Sequence, residues 1–169
     1  DTLYCDPKNS KKRKSSLLLL NITLNSLLKW FAPILSFTTE EIYQLVSKEN
    51  KSIHLEKFLD FPEFFENKKL ANKWKELVNL RNNCNISIEE KRSQKLIGSS
   101  LEANLVIELD DKSFELFKDV DFSELCITSS ALVKKSSQNE TSIKTEKAKG
   151  EKCPVCWKIS LDKCQRHAS

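Results

Sequence analysis

A chain of 169 residues, 39% hydrophobic and 31% charged, holds enough apolar material for one core with a small appendage, and is too apolar to be disordered throughout. No run approaches the ~20 consecutive apolar residues of a membrane helix, because Asn21, Asn25 and Lys29 interrupt SLLLLNITLNSLLKWF. Residues 1–14 are charged and lack the apolar centre of a secretory signal. The net charge of +4 is modest, but KNSKKRK and the six lysines within residues 134–152 concentrate positive potential, which suits a polyanion such as RNA or simply solvates the surface.

Taken in order, Leu17, Leu20, Leu24, Leu27, Leu28 and Phe31 recur at three- and four-residue spacing and predict a helix over 10–31, ended by Pro33. Thr38 stands three residues before Glu41, a hydroxyl and a carboxylate placed to cap a second helix. After the irregular KENKSIHLEKFLDFP, a long helix is predicted over 64–97, with Gly98 placed to stop it. Trp30, Phe31 and Trp74 are expected in the core.

Past Gly98 the pattern becomes extended. ANLVIEL (103–109) reads as a strand, KSFELFKDV as two helical turns, and ELCITSSALV (124–133) as a second strand. Residues 134–141 read as a linker, and SIKTEKA as one further exposed strand. The expected architecture is mainly α: a helical bundle, then a small α/β element, then a cysteine-rich knuckle.

Chemistry is sparse elsewhere. With only Gly98 and Gly150 there is no glycine-rich phosphate loop, and His54 sits alone in a loop without a nucleophile to serve. The last nineteen residues differ. Cys153 and Cys156 enclose two residues, as do Cys164 and His167, with seven between the pairs. Such gaps let the side chains of tight turns converge on one tetrahedral ion, with Zn–S about 2.3 Å. Four ligands leave no open position, so the ion, Zn2+, would be structural and would replace a core that so short a segment cannot build. A redox pair at CPVC would need a βαβ setting, and disulfides an oxidising compartment; neither is indicated. Cys5, Cys84 and Cys126 are scattered and expected to act as small buried hydrophobes.

Four stretches in fixed order, WFAPILSFTTEEIY (30–43), SIHLEKF (52–58), LRNNCNISIEEKRSQKLIGSSLEA (80–103) and GEKCPVCW (150–157), resemble the C-terminal part of bacterial isoleucyl-tRNA synthetases. The first is shared with valyl, leucyl and methionyl relatives; the KxIGSSLEA-like stretch and the late cysteine pair narrow the resemblance. It implies an α-helical anticodon-binding domain at 1–98, a mixed junction at 99–141 and a zinc module at 142–169. The parent would be a cytoplasmic, monomeric class I ligase that joins isoleucine to its tRNA with ATP. This chain has no counterpart of the catalytic and editing domains, so it would bind tRNA but neither ATP nor a membrane. The absence of any Met, and a start at DTLYCD, also suggest a piece of a longer protein. RNA contacts are expected from Trp157 and Lys158 after the second cysteine, with Trp157 alternatively covering the metal. Arg81, Arg92 and Lys95 are expected to meet phosphate, with Arg81 alternatively pairing with Glu89 or Glu90. Val155 stands where the family commonly has Arg, and His167 where it usually has a fourth cysteine. A free-standing zinc module that binds a protein partner is the reading from another class.

Overall fold

The computed structural model describes residues 2–47, 51–164 and 166. About half of them are helical, with a small mixed sheet, and they form two compact units that divide between Glu66 and Asn67. Among the described residues no helix is long and apolar enough to cross a membrane.

The first unit opens with a single turn, α1 (Thr2–Cys5), followed by α2 (Lys11–Phe31). Ser10 caps α2 by accepting from the Arg13 N–H at 3.1 Å, and the Arg13 Nε donates to the Leu3 carbonyl at 3.0 Å, tying the two together. The helix α3 (Ser36–Val46) begins earlier than the predicted Thr38 cap. Both Ile34 and Leu35 N–H groups bond back to the Phe31 carbonyl, so the chain turns straight into α3; Thr38 lies inside it, and Leu35 caps it without a side-chain bond.

The core of this unit is small: Leu28, Ala32, Tyr43 and Ile53, with Leu24 packed against them. Two helices and the 3-10 turn Ile53–Leu55 cover only a narrow stripe of α2. That corrects the expected core. Trp30 is 54% exposed, and Leu17, Leu20, Leu27 and Phe31 are exposed as well. A short 3-10 turn, Glu63–Phe65, occupies the start of the predicted long helix.

In the second unit α4 (Lys68–Ser93) starts at Asn67, whose side chain accepts from the Leu70 N–H at 2.9 Å. It stops short of the predicted 97, and not at Gly98. Lys95 takes a left-handed conformation (φ 57°). The Lys95 N–H then bonds the Arg92 carbonyl at 2.9 Å and the Leu96 N–H the Lys91 carbonyl at 3.1 Å, closing the helix end in the pattern that usually employs glycine.

The sheet follows the order β2–β1–β3, with β1 (Ala103–Leu109) central, parallel to β2 (Ser130–Lys135) and antiparallel to β3 (Ser142–Lys147). Between β1 and β2 run α5 (Asp111–Phe117) and a single turn α6 (Phe122–Leu125). The latter replaces the first part of the predicted strand 124–133. The Asp121 carboxylate accepts the N–H groups of Ser123 and Glu124 at 2.9 and 3.3 Å and so starts a helical turn where the apolar pattern reads as extended. The predicted exposed strand is β3, whose Thr145 is buried.

Alternate β1 residues, Ala103, Leu105, Ile107 and Leu109, are fully buried on one face. Leu77, Leu80, Cys84 and Ile88, spaced three and four apart on α4, join them in one core with Phe117, Phe122 and Cys126. The rings of Phe117 and Phe122 meet edge to face, 6.5 Å between centroids. Each large side chain buried here contributes about 1.5–3 kcal/mol. Cys84 and Cys126 thus behave as the buried hydrophobes expected of them, while Cys5 is half-buried, and Trp74, 47% exposed, lies outside the core.

Candidate metal centre and nucleic-acid interface

Two short antiparallel strands, β4 (Glu151–Lys152) and β5 (Ile159–Ser160), carry the cysteine turn between them. Gly150 leads into β4 at φ 124°, and a Cβ there would run into the backbone carbonyl of Ser160, so only glycine lets the two strands close. Within the turn the Trp157 N–H donates to the Cys153 carbonyl at 3.0 Å and the Cys153 N–H to the Lys158 carbonyl at 2.9 Å. Trp157 itself is left-handed (φ 62°).

This geometry gathers the sulfurs of Cys153, Cys156 and Cys164 within 4.8 Å of one another. Cys156 Sγ lies 3.6 Å from Cys164 Sγ. Tetrahedral ligands at about 2.3 Å from zinc stand about 3.8 Å apart, so the spacing fits a shared ion and is far too long for a disulfide. All six cysteines are free thiols. Burial, and then the neighbouring Cys164 and Cys153 thiols, push the Cys156 thiol up to about 11, against the pull of the Lys158 N–H. The Val155 N–H also points at Cys153 Sγ, at 3.5 Å. Three convergent thiols, with backbone N–H donors aimed at the sulfurs of Cys153 and Cys156, make a donor set suited to a soft or borderline divalent metal. His167, the expected fourth ligand, lies outside the described residues.

The knuckle is bonded to the sheet unit at several points. The Ile159 N–H donates to Ser129 Oγ at 2.6 Å, and that hydroxyl in turn donates to the Leu101 carbonyl. Lys158 Nζ donates to Ser123 Oγ at 3.1 Å, and Arg166 pairs with Glu124 at 3.4 Å.

The cations expected to meet RNA are placed unequally. Arg81 Nε donates to the Leu125 carbonyl at 2.9 Å rather than pairing with Glu89 or Glu90. Arg92 takes Glu89, at 2.7 Å. Lys158 faces Ser123, as above. Lys95 borders a surface cleft of about 560 Å³ together with Arg92, Ile97, Gly98, Glu102 and Lys147. Trp157 is 57% exposed, with the Lys152 ammonium 5.2 Å from its ring centroid. Lys147 and Lys152 belong to the lysine-rich stretch 134–152 that the sequence marks as basic, but the sequence does not single them out from its other four lysines. Lys152 stands immediately before Cys153, and Lys147 becomes visible only once β3 is paired so that it stands opposite Ala103.

A family model for the anticodon-binding domain of tRNA ligases matches residues 1–107. The chain belongs to that family. An isoleucine–tRNA ligase of Pelagibacter ubique is 63% identical over 168 residues, which is 99% of this chain and 19% of the relative. Those of Methylacidiphilum infernorum and Bradyrhizobium diazoefficiens are 42% and 40% identical, each across 95% of this chain and 17% of their own length. The chain therefore spans about a fifth of the curated relatives it matches. The match to residue 107 crosses the division at Glu66 because α4, part of the matched helical region, packs its apolar face on the sheet.

Proposed function

We propose that this chain is the tRNA-recognition part of an isoleucine–tRNA ligase, an enzyme of the cytoplasm that acts as a monomer and joins isoleucine to its tRNA with ATP. Residues 1–98 serve as the anticodon-binding domain, 99–141 as a mixed junction and 142–169 as a zinc module. The observation that carries the reading is near-full-length similarity, 63% in one case, to ligases of that name. ATP binding and catalysis belong to parts of the enzyme with no counterpart here.

Zinc is the metal that the three convergent thiols suit, held by Cys153, Cys156, Cys164 and His167, and its work is structural: it fixes the turn from which Trp157 projects. The half-exposed indole offers a stacking surface for an unpaired base, worth about 1–3 kcal/mol. Its exposure, and the Lys152 ammonium against the ring, favour that role over covering the metal. Arg92 and Lys95 supply positive charge at the end of α4. Arg81 and Lys158, bonded internally through Nε and Nζ, set the shape of the surface and add to its potential.

The salt dependence of tRNA affinity tests the reading. Binding that weakens steeply between 50 and 200 mM salt is expected from phosphate contacts that release about one counterion each. An affinity independent of salt would overturn an electrostatic RNA surface.

A further inference from the structure

The cleft at the end of α4 is built by three separate parts of the chain: the last helical turn running on through the left-handed Lys95 to Gly98, Glu102 just before β1, and the end of β3 at Lys147. Its two carboxylates are already engaged. Glu89 holds Arg92 at 2.7 Å, and Glu102 accepts the Gly98 N–H at 2.9 Å. Neither Lys95 nor Lys147 has a carboxylate partner among the described residues. Glu89 and Arg92 cancel, while Glu102 keeps its negative charge against a neutral N–H donor, so Lys95 and Lys147 leave the cleft with one net positive charge to face a ligand.

Lys95 is the more telling of the two. The left-handed position that closes a helix is the place of glycine or asparagine, because a side chain there is strained. Attraction of the ammonium to the negative end of the helix offsets part of that strain, and the position puts a long cationic side chain at the cleft. The cleft's volume lies in the range of ligand sites, and half-exposed Leu96 on its wall gives a sugar an apolar edge.

We infer that this cleft seats a phosphodiester of an RNA backbone between Lys95 and Lys147. Lysine suits that ligand as a mobile point charge that meets phosphate oxygens without requiring one orientation. Such contacts fix the register of RNA on the protein and carry no sequence information. The inference rests on the RNA-binding reading above and adds to it a place and a new residue, Lys147.

The test uses the full 169-residue chain and an isoleucine tRNA transcript titrated across salt. The variants are Lys95→Gly with Lys147→Gln, and Lys95→Arg with Lys147→Arg. Glycine relieves the left-handed strain, so the first variant melts no lower than the parent chain and a loss of binding is not a loss of fold. Its affinity is expected to fall about tenfold in dilute salt, and the slope of log K against log salt to shrink by about 0.8 for the one phosphate no longer neutralised. The arginine variant keeps the slope. Undiminished binding and an unchanged slope in the first variant, with salt-sensitive binding by the parent chain, would overturn the cleft while leaving RNA binding standing. Failure of the parent chain to bind would overturn both. Loss of binding to polyglutamate, with RNA binding intact, would assign the cleft to an acidic protein partner instead.

Discussion

The backbone N–H of Ile159 donates to the hydroxyl of Ser129 at 2.6 Å, and so links the cysteine knuckle to the first residue before β2. Because the same hydroxyl donates to the Leu101 carbonyl, one side chain joins the knuckle, the sheet and the segment after α4. Ser129→Ala leaves the Ile159 N–H and the Leu101 carbonyl without this partner. We expect a loss of about 1–3 kcal/mol in the second unit, with faster removal of metal by a chelator. Metal release at the parent rate would mean that the knuckle holds itself without the sheet.

Metal removal is the second expectation. The parent chain should carry one zinc, and Cys153→Ser with Cys156→Ser should bring zinc content close to zero by elemental analysis. The core of α4 and β1, which contains neither residue, should stay folded by circular dichroism. Unchanged zinc content in the double variant would place the metal elsewhere.

Gly150→Ala tests the closure of the knuckle. A methyl group directed at the Ser160 carbonyl, on a backbone at φ 124°, separates β4 from β5. Strain of this kind costs about 1–3 kcal/mol, and we expect zinc affinity to drop with it while melting of the sheet core is little changed. Zinc affinity equal to that of the parent chain would contradict the account.

Glu40 gives the first unit a pH dependence. Its carboxylate accepts from Gln44 Nε2 at 2.9 Å, from Ser52 Oγ at 2.8 Å and from the Ile53 N–H at 2.9 Å, fastening α3 to the turn that buries Ile53. The Gln44 amide first, and then the Ser52 hydroxyl, hold its pKa below the ordinary 4.5. A carboxyl depressed in the folded state stabilises fully above its unfolded value, and that contribution is lost as pH falls through the folded value. Thermal melts should therefore show stability declining below about pH 4.5, and Glu40→Gln should flatten that decline. An equal acid response in both would remove Glu40 as its source.

Legibility from the sequence varied with the kind of signal. ANLVIEL is apolar and β-branched enough that β1 is read to the residue, and the spacing of Cys153, Cys156 and Cys164 alone foretells their convergence. The end of α4 is not legible, because nothing in KLIGSS says that Lys95 and not the nearby glycine takes the left-handed turn. The turn α6 is hidden for a similar reason: one capping carboxylate, Asp121, outweighs an extended-looking apolar pattern. Trp30 fits the helical stripe but is exposed, since periodicity gives the face a residue shares and not whether another element covers it. Lys147 depends on strand register, which a single sequence does not display.

Recognition of isoleucine tRNA is what the proposed function requires of this chain. Its most direct test is competition, on the zinc-loaded chain, between isoleucine tRNA and an otherwise equal transcript with a changed anticodon. We expect preference for the isoleucine anticodon, reduced when Trp157→Ala removes the stacking surface. Equal binding of the two transcripts would contradict it and leave a basic surface that holds RNA without reading it.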